Sequence, residues 1–250
     1  MRIKCFVLIS LFLIGCSSDD PDIEPDIDDP VTKPNPLEGL PDNGPLRFDE
    51  PVIGQRSYYV FFEAVKDQSS KEVSFHYETD TLVLAITAKE SGNWLIKEFF
   101  TNGSLSRQPS GGGEWTTVAD TVIERYLQIG TDSLHFSVPP GGDYFAPIFS
   151  LFKSEKCSMP RSLVSDPEPL TTECLPLFGY ASTQWMEYTL NYTQFGQTFD
   201  HLNNYFDYRP MSGDGHGFMY AYGPHYGMVR WSWISYWDFK VAKGWDLIPK

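Results

Sequence analysis

Residues 81–100 read TLVLAITAKESGNWLIKEFF, and the fold class turns on how this stretch is read. Its first part, Thr81 to Ala88, is an almost unbroken β-branched and aliphatic run, and its last, Asn93 to Phe100, is apolar and aromatic. Glu90-Ser91-Gly92 lies between them. Two such runs around a short turn containing glycine predict a β-hairpin. Neither half keeps the i, i+3, i+4, i+7 spacing of a buried helical face.

The same grammar extends outward. Before the hairpin lie Ser57 to Val65 (SYYVFFEAV) and Glu72 to Tyr77, the latter cut off from Thr81 by Glu78-Thr79-Asp80, which reads as a turn. After it, Ser110-Gly111-Gly112-Gly113 is a flexible break. Val122 to Ile129 and Ser133 to Val138 then flank Gly130-Thr131-Asp132, a second predicted hairpin that ends at Pro139-Pro140-Gly141-Gly142. Ile148 to Phe152 is a further short run. The last third holds Met186 to Tyr192, Phe195 to Tyr208, Phe218 to Tyr222 and Tyr226 to Trp237, all rich in aromatics that favour pleated, half-buried surfaces. Strands recurring roughly every 10 to 15 residues predict a mainly β body over residues 46–250, a single antiparallel β-sandwich or β-barrel.

The N-terminus has a different character. Arg2 and Lys4 precede an apolar run from Cys5 to Ile14, broken only by Ser10. That run is too short for a spanning helix, which needs roughly 20 residues, and suits the core of a signal peptide. It ends in Leu13-Ile14-Gly15-Cys16, which resembles the lipobox of bacterial lipoproteins. The resemblance implies cleavage after Gly15, a diacylglyceryl group on the Cys16 thiol and acylation of the new amino terminus. Ser17-Ser18-Asp19-Asp20 is similar to the acidic export signal of Bacteroidetes-type outer-membrane lipoproteins, which implies a place on the outer face of the outer membrane. Two or three acyl chains, at about 0.8 kcal/mol per buried methylene, anchor a protein stably.

Charge narrows the partners. The whole chain carries −14, and loss of Arg2 and Lys4 with the signal leaves −16. Nine acids against Lys33 put −8 of this between Cys16 and Pro45, leaving −8 for the body. The Pro- and acid-rich composition of residues 16–45 predicts a disordered tether, and at about 3.1 Å per residue it reaches roughly 90 Å. Neither part offers the basic surface that nucleic acid requires. Asp80-Thr81-Leu82, Asp120-Thr121-Val122 and Asp132-Ser133-Leu134 are similar to the O-glycosylation acceptor of Bacteroidetes exported proteins, although an Asp before a strand is also ordinary turn chemistry. Of the four cysteines, the lipoprotein resemblance implies that Cys5 leaves with the signal and that Cys16 is lipidated. Cys157 and Cys174 remain and are expected to form a disulfide, since exported compartments are oxidising.

Candidate chemistry concentrates near the C-terminus. On a regular strand Val229, Trp231, Trp233 and Trp237 would share one face, with Met228, Arg230, Ile234 and Tyr236 on the other. Trp231, Trp233, Trp237 and Tyr236 could stack on sugar rings, and the same residues also suit a β core. His216, His225 and Asp214 could approach across a hairpin, but a metal site usually wants a third or fourth ligand, so no metal and no cofactor is expected. G-x-S-x-G, H-E-x-x-H and phosphate-loop signatures are absent. Carboxylates such as Glu98, Glu114, Glu124 and Glu187 could form a glycosidase pair, whose chemistry is decided by their separation. The leading expectation is a non-catalytic binding module with a glycan, or another surface protein, as partner. A barrel carrying an apolar ligand and a secreted hydrolase are the rivals.

Overall fold

Apolar residues at every second position give a strand one face to bury, and most of the described strands pair into one curled sheet. The computed structural model describes residues 35–67, 69–70, 72–102, 106–107, 116–117, 122–137, 156–163, 168–169, 183–209, 216–235 and 240–249. The strands are β1 (Arg56–Lys66), β2 (Val73–Glu90), β3 (Asn93–Asn102), β4 (Ser106–Arg107), β5 (Thr116–Thr117), β6 (Ile123–Ile129) and β7 (Ser133–Ser137). They continue with β8 (Lys156–Pro160), β9 (Glu168–Pro169), β10 (Thr183–Gln194), β11 (Gln197–Arg209), β12 (His216–Gly223), β13 (Gly227–Ser235) and β14 (Lys240–Ile248).

Strands β4 and β5 form a small ribbon of their own, and the other 12 make one sheet in the order β8-β7-β6-β3-β2-β1-β14-β13-β12-β11-β10-β9. Strands consecutive in that sheet are neighbours along both arms, and the first strand pairs with the last at its centre. This is the connectivity of an up-and-down barrel left open between β8 and β9 among the described residues. The sheet therefore curls into an antiparallel half-barrel, which answers the choice between sandwich and barrel.

One core fills the curl. An inner row runs across six strands in register, from Phe61 through Trp245, Trp231, Tyr220 and Tyr205 to Met186. Leu127, Leu134, Phe136 and Met159 reach the same cluster from the other arm. The arms are tied together by Tyr222, whose hydroxyl donates to the Pro160 carbonyl (2.8 Å), and by Asn203, whose Nδ2 donates to the Ser162 carbonyl (2.8 Å).

Both predicted hairpins form. Ser91 and Gly92 (φ 48° and 87°) make the β2–β3 turn, with the two positive φ values that match the twist of paired strands. Two expectations are corrected. Glu78-Thr79-Asp80 is not a turn between strands but a bulge inside β2, because the register with β1 jumps from Val60–Thr81 to Phe62–Tyr77. Strand β14, beyond the last run that reads as a strand, is the second, with Trp245 and Leu247 alternating into the core.

The folded body starts at Asn35, earlier than composition suggested. Leu37 packs on Val83, Ala85 and Phe99, and Arg56 donates to the Pro41 carbonyl at 2.5 Å. The strap continues inward, so that Leu46 and Phe48 are buried in the core and Phe48 meets Phe136 edge-on at 6.1 Å. Cys16 and the preceding signal lie outside the described residues, as does Cys174; Cys157 is placed only as a backbone position in β8.

Candidate ligand-binding surface

Successive residues of a strand point to opposite faces, so Trp231 and Trp245 in the core place Arg230 and Asp246 on the other side of the sheet. These two are cross-strand partners. Arg230 donates from Nε to Asp246 Oδ1 and from Nη2 to Oδ2, both at 2.5 Å, a parallel fork that suits a carboxylate. Although the pair faces away from the core, Asp246 has no exposed surface.

Two long hairpins bury it. The outer part of β1–β2 brings Phe62, Phe75 and Tyr77, and the β10–β11 hairpin brings Tyr192 and Phe195. The Arg230 guanidinium lies 4.8 Å from the Phe62 ring centre, 5.1 Å from Phe75 and 5.7 Å from Tyr192, within cation–π range of all three. Tyr77 donates its hydroxyl to Asp246 Oδ2 at 3.0 Å. Gly244 makes the approach possible, since a Cβ there would collide with the Trp231 carbonyl and lie 3.0 Å from Phe62.

The electrostatics follow from this burial. Desolvation opposes the Arg230 charge, but the hydrogen bond and attraction of Asp246 outweigh it, and the guanidinium holds its proton more tightly than usual. Burial first, and then the Asp246 charge, push the Tyr77 hydroxyl well above the ordinary phenol range. Burial likewise takes Tyr192 to about 12. The Arg230 fork and the Tyr77 hydroxyl are directed at Asp246, and the Tyr192 hydroxyl donates to Gln194 at 2.8 Å.

Its outer side is apolar and accessible. Phe75, Tyr77 and Phe195 are 38%, 41% and 48% exposed. Tyr77 touches Phe195 with ring centres 4.9 Å apart, and Phe75 and Tyr77 are nearly parallel, at 21° and 6.5 Å. Phe195 and Gly196 form the β10–β11 turn with φ of 48° and 79°. Glycine takes that conformation freely, but a bulky aromatic residue there is an outlier that costs of order 1 kcal/mol or more. Phe195 is therefore both exposed and held in a disfavoured backbone conformation. Glu78 lies at its margin, its carboxyl raised by burial and then by the nearby Asp80 and Glu63 charges.

The residues expected from sequence fall elsewhere. Trp231 packs against the core opposite Trp245, Trp233 is placed only as a backbone position in β13, and Tyr236 and Trp237 lie outside the described residues. His216 opens β12 and His225 lies beyond its other end, so at about 3.3 Å per residue a whole strand of roughly 25 Å keeps them apart instead of joining them. His225 meets Asp49 instead, Nδ1 to Oδ2 at 2.5 Å, while Arg47 holds the same carboxylate from Nε (3.0 Å) and Nη2 (2.8 Å). No group of three or more metal-ligating side chains occurs among the described residues. Glu98 is buried on the inner face and Glu124 faces outward beside Lys97 at 3.3 Å, so these two carboxylates do not face each other. Glu187 is exposed on β10, and Glu114 lies outside the described residues.

Sequence reasoning missed Phe75, Tyr77, Phe195, Arg230 and Asp246 as a group. The one local signal was Phe195-Gly196, an aromatic residue at a position where a two-residue hairpin turn prefers Asn or Asp. No protein-family model, curated protein or solved structure matches the chain.

Proposed function

We propose that this protein is a non-catalytic binding module, lipid-anchored through Cys16 at the outer membrane and displayed on the cell surface, that binds neutral glycan on Phe75, Tyr77 and Phe195. The reading rests above all on Phe195, exposed and strained at the tip of β10–β11. Aromatic rings pack on the apolar faces of sugar rings, and Phe75, Tyr77 and Phe195 supply three adjoining, exposed rings. The net charge of −14 and the Glu63, Glu78 and Asp80 carboxylates disfavour anionic polysaccharides.

The position of the patch agrees with that role. Pro36 and Leu40 of the strap lie beside Thr87 and Ala88 in β2, whereas Phe75 and Tyr77 sit at the other end of that strand. At about 3.3 Å per residue, roughly 30 Å separates the aromatic patch from the point where the tether joins the body.

The test is a glycan array probed with the full mature chain and with Phe195→Asn. Neutral glycans should be retained by the native chain and lost, by at least roughly tenfold in affinity, from the variant with its fold intact. Equal binding by both proteins, or a silent array, would overturn the assignment.

A further inference from the structure

A second concavity lies on the non-core face of β2, β3 and β6. It is an open groove of about 440 Å³, a volume within the range of ligand sites. The N-terminal strap supplies one side of it through Pro36, Glu38 and Leu40. That side belongs to the fold, since Leu37 is packed on the sheet and Arg56 holds the Leu40 and Pro41 carbonyls.

The lining combines an apolar part, Leu40, Ala88 and Leu95, with three carboxylates, Glu38, Glu90 and Glu124. Two of the carboxylates are oriented: Tyr126 donates to Glu90 at 2.7 Å, and Lys97 lies 3.3 Å from Glu124. Lys97 offsets one charge, so the groove keeps a net −2. Long basic side chains match such a surface, because their alkyl stems cover apolar area while the cationic head reaches a carboxylate. The chain's own tether cannot be the occupant on charge grounds, as residues 17–34 carry seven acids and one lysine. A neutral sugar would leave the carboxylates without a counter-charge.

We propose that this groove binds an extended basic segment of a partner polypeptide, with arginine or lysine heads on Glu38, Glu90 and Glu124 and their stems on Leu40, Ala88 and Leu95. The site is separate from the aromatic patch and does not depend on the glycan assignment.

The experiment is fluorescence anisotropy of the full mature chain with a labelled glycine–serine peptide carrying three arginines. The same peptide with citrulline replacing arginine is the neutral comparison. Glu38→Gln combined with Glu124→Gln removes charge at the groove, and Glu63→Gln combined with Asp80→Asn removes equal charge at the other end of β2. The arginine peptide should bind, weaken at least roughly tenfold in the groove variant and be unaffected by the distal variant or by Phe195→Asn. The citrulline peptide should not bind. Absence of binding to the native chain, or equal weakening by both charge variants, would overturn the proposal, the latter by showing diffuse attraction to an acidic body.

Discussion

Arg230 and Asp246 meet through two parallel hydrogen bonds of 2.5 Å on the face of the sheet turned away from the core, and Phe62, Phe75, Tyr77 and Tyr192 enclose them. A pair sealed in this way is expensive to break from one side only. Asp246→Ala leaves the guanidinium charged among aromatic rings and should cost roughly 3–5 kcal/mol. Replacing both partners, Arg230→Met with Asp246→Leu, should recover most of that loss. Denaturant unfolding of the three variants measures it, and a double variant as unstable as the single would contradict the account.

Phe195→Asn should leave stability unchanged or higher. Asn tolerates the left-handed conformation that Phe195 occupies at φ 48°, and the relief of about 1 kcal/mol opposes the loss of the Tyr77 contact. Thermal unfolding reads this directly. A marked fall in Tm would mean that Phe195 holds the hairpins together instead of serving the surface.

Gly244→Ala should destabilise by roughly 2 kcal/mol or more, since the added methyl meets the Trp231 carbonyl and the Ser232 Cα, both backbone atoms that cannot swing aside. Tryptophan fluorescence during unfolding is a direct readout, because Trp231 and Trp245 flank this point.

The acid limb of stability should depend on Asp49. Burial opposes its charge, but the hydrogen bonds from Arg47 and His225 prevail and lower its pKa to about 2. A depressed carboxyl stabilises the fold fully above its unfolded value of about 3.9 and loses that contribution as pH falls through the folded value. Between about pH 4 and pH 2, Asp49→Asn should therefore show a flatter decline than the native chain. Parallel slopes in urea midpoints across that window would show that Asp49 is not responsible.

At alkaline pH the tyrosines reverse the sign. Burial raises Tyr59, Tyr77, Tyr192 and Tyr222, with Tyr192 at about 12. The stability this confers is present below the ordinary phenol value of about 10 and is lost as pH rises through the shifted values. Ultraviolet titration should show these phenolates emerging only together with unfolding. Their appearance in the folded protein near the ordinary value would refute the burial.

Much of the strand content was legible in the chain. The 81–100 hairpin and the Gly130-Thr131-Asp132 turn come from local patterns, period-two alternation and turn residues, which act over a few positions and survive without knowledge of the rest of the molecule. Residues 35–45 have the composition of a tether, yet Leu37 packs on Val83, Ala85 and Phe99, more than forty positions along the chain.

The sequence by itself determined a β body and an acidic chain. Only the tertiary structure decided that β1 and β14 join the two arms of the sheet, that Trp231 turns to the core, and that Arg230 joins Asp246 beneath exposed rings from β2 and β10–β11. Strand formation is local, but the pairing of β1 with β14, the cover of Tyr77 over Asp246 and the meeting of Tyr77 with Phe195 depend on contacts between residues more than a hundred positions apart. No window of the sequence contains them together.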